Sequence, residues 1–343
     1  MRDGEMGMAA ELREAPDAVR RQRERLSPPL AELIARCRRK PPRLVVTCAR
    51  GSSAHAATFG KHLIERHLGI PVAAAAPNIA TVYGQRLRLK DQLLLTISQS
   101  GRSDDLTEFT QMAKAAGALT AAIVNDTDSP LAAACDIALP MAAGPELSIA
   151  ATKSFVAALA VLLRCTAAWT NDDALRAAVD RLPDRLAAAT ELDWSSALGV
   201  LSAASSLITI GRGPTLAVAR EAALKLKETC NVHAEAFSGA EFQHGPVTLV
   251  SPLYPIMLFM PTDAAARGLR ELAADLRRKG AALFTAEHDA QAADRLPALR
   301  PDHPDTDAVC LIQSFYALTV RIAGRRGTDV DRPRHLQKVT RTR

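Results

Sequence analysis

The sequence has few aromatic residues and no closely spaced cysteines. Aromatic side chains make up 4% of the 343 residues, so Ala, Leu and Val have to fill most of the interior. No Cys-x-x-Cys or His-x-x-x-His pair occurs, so neither a zinc site nor a disulfide framework is indicated. We therefore expect reduced and mostly buried thiols at Cys37, Cys48, Cys135, Cys165, Cys230 and Cys310.

The sequence also lacks a leader-like apolar run and a recognisable nucleic-acid-reading motif. The N-terminal stretch MRDGEMGMAAELREAP has no apolar run of the kind found in signal peptides. We also expect no later segment to be a charge-free apolar run long enough to span a bilayer. The net charge is +6, but basic residues are dispersed except in a run from Arg20 to Arg25 and in the tail. We expect a cytoplasmic protein that binds no membrane and no nucleic acid. The mild positive excess favours an anionic small molecule.

An internal repeat indicates how the chain is divided. Residues 44–65 and 206–228 share one pattern, in which an apolar strand is followed by Arg-Gly and an Ala-rich helix. After each copy, apolar runs of strand length alternate with helical patterns, which is typical of parallel sheets. The chain is also longer than chains that usually fold around a single hydrophobic core. The sequence therefore predicts an α/β protein with two tandem doubly wound parallel-sheet domains and helices on both faces.

The strands and boundaries follow from this pattern. We predict a helix and linker over 1–39, a first domain over 40–178, a helical connector over 179–196, a second domain over 197–330 and a tail over 331–343. We also predict a last strand in the second domain, without assigning its first and last residues. The other predicted strands are Val45–Cys48, Val72–Ala75, Leu93–Ile97, Ala121–Val124, Ile137–Leu139, Leu207–Ile210, Asn231–Ala236, Pro255–Phe259 and Ala282–Thr285.

A hydroxyl-rich turn follows the third predicted strand. It contains Ser98, Gln99, Ser100 and Ser103 with a glycine between them, and it opens a helical segment. Hydroxyls and backbone N–H groups at a helix N-terminus suit a phosphate group. The alternative is a plain serine-rich helix cap. Arg102 either adds positive charge or points to solvent, and Ser52 and Ser53 offer hydroxyls after the first strand, with the same capping alternative.

A helix of the second half carries a charged stripe. Glu221, Lys225 and Glu228 are spaced i, i+4 and i+7, so they share one face. On an arbitrary helix such a stripe is usually a surface salt-bridge ladder. Small apolar neighbours favour burial instead, and the helix starts at the ligand-binding edge of a sheet, which favours a functional role. His244 comes later in the chain and directly precedes a Gly-Pro pair. It is either a core histidine or an acid–base group held at a turn.

Eight motifs in order resemble the tandem SIS domains of glucosamine-6-phosphate synthase, and still more the stand-alone SIS-type glucosamine-6-phosphate deaminases. The resemblance runs from about Met8 to the end of the chain. The motifs are RGSS (50–53), SQSGRS (98–103), AATKSF (150–155), EAALKLKE (221–228), HAEAF (233–237), EFQHGP (241–246), GTDVDRP (327–333) and LQKVT (336–340). The implied fold is flavodoxin-like.

The resemblance implies roles for particular residues. The serines and Gln99 of the 98–103 turn would bind phosphate, and Ser52, Ser53 and the 151 position would face the sugar, with Ala151 where the synthase has a serine. Glu228 would move the proton between C1 and C2, with Lys225 and Glu221 beside it. His244 would open the ring from the neighbouring subunit of a homodimer. Lys338 would form an imine, although a solvated tail is the alternative.

The expected reaction is deamination of glucosamine-6-phosphate to fructose-6-phosphate and ammonia, for which no metal or redox cofactor is required. The chain as given carries no glutaminase domain with a terminal cysteine, so we do not expect glutamine-fed synthesis within one polypeptide. Three alternatives stay open. They are a related deglycase or deaminase acting on fructosamine-6-phosphate or galactosamine-6-phosphate, a synthase half fed by a separate amidotransferase, and a sugar-phosphate sensor without turnover.

Overall fold

A computed structural model describes residues 7–288 and 295–338. Within these ranges the chain forms two parallel five-stranded sheets. The strands are β1 (Val45–Ala49), β2 (Val72–Ala74), β3 (Leu93–Ser98), β4 (Leu119–Val124), β5 (Ile137–Pro140), β6 (Ser206–Gly211), β7 (His233–Ser238), β8 (Pro255–Phe259), β9 (Ala282–Glu287) and β10 (Arg295–Pro297).

Helices connect the strands. They are α1 (Met8–Arg13), α2 (Ala15–Arg39), α3 (Gly51–Leu68), α4 (Asn78–Thr81), α5 (Asp104–Ala115), α6 (Pro130–Ala134), α7 (Lys153–Thr170), α8 (Asp173–Thr190), α9 (Ser195–Ala203), α10 (Thr215–Cys230), α11 (Gly239–Gln243), α12 (Ala266–Arg278) and α13 (Pro304–Arg326). A 3₁₀ turn covers Pro246–Leu249.

The chain divides into two compact units. The first unit contains Asp17–Glu146, Lys153–Asp180 and the described tail from Gln337. The second unit contains the described chain up to Pro16, together with Leu147–Thr152 and Arg181–Leu336. The continuous domain boundaries given above stay a prediction.

The first unit is built on the sheet ordered β2-β1-β3-β4-β5. All six residues of β3 are buried, as expected for a central strand covered on both faces. One core cluster joins Val46 and Leu94 of the sheet to Leu106 and Phe109 of α5. The helical connections between parallel neighbours place the turn after every strand at the carboxyl edge of the sheet.

Helix α7 of this unit bears on the expectation that no charge-free apolar run is long enough to span a membrane. By length and composition alone residues 153–170 could cross a membrane, but they contain Lys153 and Arg164 and are not charge-free. In this fold 72% of that stretch is buried. Core helices of globular proteins have the same composition, because an apolar helix that is covered on all sides needs no polar face.

The second unit repeats the order, as β10-β9-β8-β6-β7. Its core joins Ile208 and Leu258 of the sheet to Leu269, Leu272 and Leu276 of α12. The predicted fold class is confirmed, and the nine predicted strands are present with bounds within two residues. The predicted strand from Asn231 begins two residues later, because Asn231 adopts a left-handed conformation (φ 51°) that ends α10.

The cysteines are mostly buried, as expected. Of the six, five are buried and Cys165 is partly buried, and all of them are free thiols. Burial raises the pKa of Cys48 to about 12, because the thiolate would lose its hydration there.

Candidate active site

The strand order of the first unit reverses between β1 and β3, and parallel open sheets have a crevice at such a reversal. Strands β1 and β3 are neighbours, and the chain moves from β1 to one side of the sheet and from β3 to the other. Ala49 pairs with Ile97, so the turns that follow these residues begin side by side. Parallel open sheets bind ligands at such a crevice. The structure therefore brings the hydroxyls of Ser52 and Ser53 and the 98–103 turn to one place.

The 98–103 turn is held by its own hydroxyls and by a glycine. Ser98 Oγ accepts the Gly101 N–H at 3.1 Å, and Ser100 Oγ accepts the Arg102 N–H at 3.3 Å. Gly101 has φ +63°, and a Cβ there would lie 2.0 Å from Ser129 Oγ. Only glycine fits this position, because a side chain would be both strained and in steric conflict.

Helix capping does not explain the serine at the end of this turn. Ser103 occupies the N-cap position of α5, yet its side chain makes no capping hydrogen bond in the described structure. Its hydroxyl is partly exposed at a helix N-terminus, where the backbone dipoles favour an anion. This geometry favours the phosphate role over the capping alternative.

The arginines beside the turn are already paired. Arg50 Nε and Nη2 donate to the buried Asp105 Oδ2 at 3.0 and 2.8 Å. Arg102 donates to Asp126 at 2.8 Å. Each guanidinium is about half exposed, so its charge is still near the crevice while its geometry is fixed by a carboxylate.

The predicted imine-forming lysine contacts a carboxylate of the first unit. Lys338 Nζ lies 3.4 Å from Glu146 Oε2. The Glu146 side chain is fully buried, and it accepts the Ser154 N–H at 3.0 Å and the Ser154 Oγ–H at 2.5 Å. Lys338 is therefore held by an anchored carboxylate, which argues against a freely solvated tail at this residue.

The charged stripe of α10 is a buried ion cluster of the second unit. Glu221 and Lys225 are 0% exposed. Lys225 Nζ lies 3.4 Å from Glu221 Oε1 and also donates to Glu228 Oε2, while the Tyr316 hydroxyl donates to Glu221 at 3.2 Å. Burial alone would lower the pKa of Lys225, but the two carboxylates outweigh it and raise that pKa. The surface-ladder alternative is wrong for this helix.

Glu228 is the accessible member of that cluster. Its side chain is 22% exposed, against 0% for Glu221. A carboxylate that is partly open to solvent and hydrogen-bonded to a buried ammonium can exchange a proton with a bound molecule. Among the three charged groups, Glu228 has the best geometry for acid–base chemistry.

The position of Glu228 corrects one step of the sequence argument. The charged stripe was expected at the carboxyl edge of a sheet, where α10 begins. Glu228 lies in the last turn of α10, 13 residues after Thr215, which is about 20 Å along the helix axis. It therefore lies towards the amino edge of its sheet, because a helix after a parallel strand runs back along that strand.

His244 lies away from Glu228 within one chain. It is exposed and follows α11, beyond the carboxyl end of β7, whereas Glu228 precedes the amino end of that strand. The strand has six residues and separates the two by about 15–20 Å. His244 is not a core histidine, and one chain does not bring it to the carboxylate.

A cavity of about 620 Å³ in the second unit has no predicted site residue in its walls. It lies at the ends of β8 and β9, against α12 and α13. Two of its four arginines pair with carboxylates of the same wall, Arg185 with Asp307 at 2.8 Å and Arg295 with Glu287 at 3.0 Å. These two ion pairs add no net positive charge for a phosphate.

Sequence reasoning missed several supporting residues. Glu146 stands close before the AATKSF motif but has no distinctive local pattern, and Tyr316 lies far along the chain from Glu221. Asp105 lies in the helical segment that follows the 98–103 turn, and its pairing with Arg50 was not predicted. Such contacts depend on packing between distant segments, which spacing cannot reveal. Within residues 7–288 and 295–338, no group of three His, Cys, Asp or Glu residues could hold a metal ion.

Known proteins resemble this chain over nearly its full length. The family model of the SIS domain matches residues 40–166 and 200–293. A glutamine–fructose-6-phosphate aminotransferase from Gluconobacter oxydans is 32% identical over 96% of this chain and 58% of its own length. One from Symbiobacterium thermophilum is 32% identical over 86% of this chain and 51% of its own. The chain thus spans about half the length of these relatives.

Two solved structures are also similar. A Silicibacter pomeroyi protein, named a phosphosugar isomerase, has a TM-score of 0.89 and 43% identity, and the match covers 94% of this chain and 99% of that one. The C-terminal domain of a glucosamine–fructose-6-phosphate aminotransferase from Francisella tularensis has a TM-score of 0.85 and 25% identity, over 97% and 100%.

Proposed function

Because the chain belongs to the SIS domain family, we propose that it acts on a phosphorylated amino sugar and converts glucosamine-6-phosphate to fructose-6-phosphate and ammonia. The observation that carries the proposal is the buried ion cluster of α10, in which Glu228 alone is accessible. The hydroxyl-rich crevice of the first unit supports a phosphate-bearing substrate. Both similar structures come from proteins named for phosphosugar chemistry.

The proposed reaction is an isomerisation followed by hydrolysis. After ring opening, the Glu228 carboxylate removes the proton from C2 of the aldose, and the C1 oxygen gains a proton to give an enolamine. Glu228 returns the first proton to C1, and the amino nitrogen loses one proton, which balances the proton gained by the C1 oxygen and leaves an imine at C2. Water adds to that imine, and its C–N bond breaks to release ammonia and fructose-6-phosphate. The ammonium of Lys225 next to Glu228 balances the negative charge that forms during proton transfer.

The separation of His244 from Glu228 supports a shared site. A histidine about 15–20 Å from the carboxylate of its own chain cannot reach the same hexose. We propose that His244 opens the ring in the site of a second copy, as a homodimer would permit. A mixture of His244→Ala and Glu228→Gln chains should then regain activity, because one of the two mixed sites has both residues.

The predicted role of Lys338 can be tested separately. Its contact with Glu146 supports a positioned lysine, which could attack the open-chain carbonyl to form an imine and release water. Borohydride reduction in the presence of fructose-6-phosphate should attach the sugar covalently to wild type and not to Lys338→Met. Labelling that is equal in both would remove this role.

The main test mixes purified protein with glucosamine-6-phosphate alone and follows both products. Glu228→Gln should lower kcat by about 10²–10⁴-fold, because the amide cannot carry the proton. Glu271→Gln is the matched control, since Glu271 is an exposed carboxylate of the same unit. Equal activity in the Glu228 variant would end its assignment. Ligand-induced stabilisation without product would instead favour a sensor.

A second candidate is a synthase half that receives ammonia from another subunit. It is favoured by the relatives, which are aminotransferases matched over about half of their length. The reverse assay with fructose-6-phosphate and ammonium, compared with glutamine plus a separate glutaminase, distinguishes it. A panel that includes fructosamine-6-phosphate and galactosamine-6-phosphate tests the remaining alternatives.

A further inference from the structure

The segment Leu147–Thr152 of the second unit contains the predicted sugar-contacting residue Ala151. It forms neither helix nor strand, so its backbone groups need partners elsewhere. Of its two large apolar side chains, Leu147 is 82% exposed and Ile149 is only partly buried, so burial of these side chains anchors it weakly. Hydrogen bonds from outside the segment must therefore determine much of its position.

One carboxylate from α1 binds the start of this segment. Glu11 is 5% exposed. Its Oε1 accepts the backbone N–H groups of Leu147 and Ser148, the latter at 3.2 Å, and its Oε2 lies 3.3 Å from the same Ser148 nitrogen. A buried carboxylate that accepts backbone N–H groups fixes the direction of the chain more strongly than neutral contacts do.

A second carboxylate binds the next residues. Asp331 Oδ1 accepts the Ser148 hydroxyl at 3.0 Å and the Met8 N–H at 2.6 Å, and the Asp331 carbonyl accepts the Ile149 N–H at 3.1 Å. Asp331 lies seven residues before Lys338 in the sequence. The same residue thus connects the Ala151 segment to the start of the tail that carries the predicted imine-forming lysine.

We propose that Glu11 and Asp331 are positioning residues, which hold Leu147–Thr152 so that Ala151 meets the sugar. The proposal rests on the proposed function and adds two residues, outside the predicted site set, that determine how well that site is formed. Displacement of a substrate-contacting segment by about 1 Å can lower reactivity on the order of 100-fold. Loss of either carboxylate should therefore weaken sugar binding without removing any group that touches the sugar.

The test uses two deletions and two conservative changes in the full chain. Glu11→Ala and Asp331→Ala should speed amide hydrogen exchange at residues 147–149 and raise KM for glucosamine-6-phosphate about 10-fold or more, with a smaller change in kcat. Asp331→Asn keeps an oxygen that can accept both hydrogen bonds, so KM should return to near the wild-type value. Glu11→Gln keeps one acceptor oxygen and should be intermediate.

Asp136→Ala is the matched control. Asp136 likewise accepts a backbone N–H and a hydroxyl, both from Thr120, but at the amino edge of the first sheet. It should lower stability and leave KM within about twofold, since the amino edge of a parallel sheet is away from its ligand crevice. An unchanged KM in both alanine variants, or an equal rise in the control, would overturn the positioning role.

Failure of the proposed function gives a different result. In that case wild type releases no product, and the dissociation constant of glucosamine-6-phosphate replaces KM in the same comparison. Weaker binding in the alanine variants and recovery in Asp331→Asn would still support the positioning role. Equal binding by all variants, or none by wild type, would refute it.

Discussion

Replacement of Lys225 by methionine tests the buried ion cluster of α10 most simply. Lys225 is fully buried between Glu221 and Glu228, and methionine has similar length but no charge. The variant would remove the ammonium that lies between the buried Glu221 and Glu228. Removal of one partner of a buried ion pair is among the most destabilising changes in a protein interior.

The size of the effect follows from the geometry. At 3.4 Å and an effective dielectric constant near 20, the attraction between Lys225 and Glu221 is about 5 kcal/mol. Breaking a buried pair by removing one partner typically costs about 3–5 kcal/mol of unfolding free energy. For a unit of this size, that corresponds to a Tm lower by about 6–20 °C.

The stability loss in Lys225→Met should depend on pH in a defined direction. In wild type the pKa of Lys225 is raised, so its contribution is present below about pH 10 and is lost only at higher pH. In Lys225→Met the buried Glu221 can relieve its charge by binding a proton that the unfolded chain does not hold at neutral pH. The stability deficit should therefore be largest at about pH 8 and should shrink towards about pH 5.

Urea and thermal unfolding followed by circular dichroism at several pH values measure this. The control is the double variant Lys225→Met with Glu221→Gln, which should regain most of the stability because both charges of the buried pair are removed. A deficit below about 1 kcal/mol in the single variant, or one that does not change with pH, would refute the buried-cluster reasoning.

Further outcomes follow from other contacts. Gly101→Ala should weaken sugar-phosphate binding and lower Tm, because the added methyl would meet Ser129 Oγ; an unchanged dissociation constant would count against the turn. Partial burial alone would raise the pKa of Asp136, but hydrogen bonds from Thr120 and a nearby lysine lower it. Its stabilising effect, measured against Asp136→Ala, should thus be constant above about pH 5 and vanish at lower pH. Cys48, whose pKa is raised to about 12, should resist thiol reagents at pH 8 until the protein unfolds.

The fold could be predicted because its signals are local and repeated. The Arg-Gly turn recurs at 50–51 and 212–213, and β3 is apolar throughout, as buried parallel strands are. The predicted start of β7 was two residues too early, because the asparagine at the end of α10 takes a left-handed conformation that the apolar pattern does not show.

The site was predictable in its motifs but not in its supporting contacts. The spacing of Glu221 and Lys225 places them on one helix face, whereas their complete burial depends on α13, which contributes Tyr316. Periodicity also cannot tell which end of a helix faces a ligand, so the carboxyl-edge argument failed for Glu228. Glu146 had no sequence signal because its partners are brought to it by the fold.

The central claim is that Glu228 moves a proton of a bound sugar phosphate. A crystal structure of Glu228→Gln grown with glucosamine-6-phosphate tests it most directly, since the variant should bind the sugar without consuming it. We predict C1 and C2 of the sugar within about 3.5 Å of the residue-228 side chain. A bound sugar whose C2 is beyond reach of residue 228 would contradict the account.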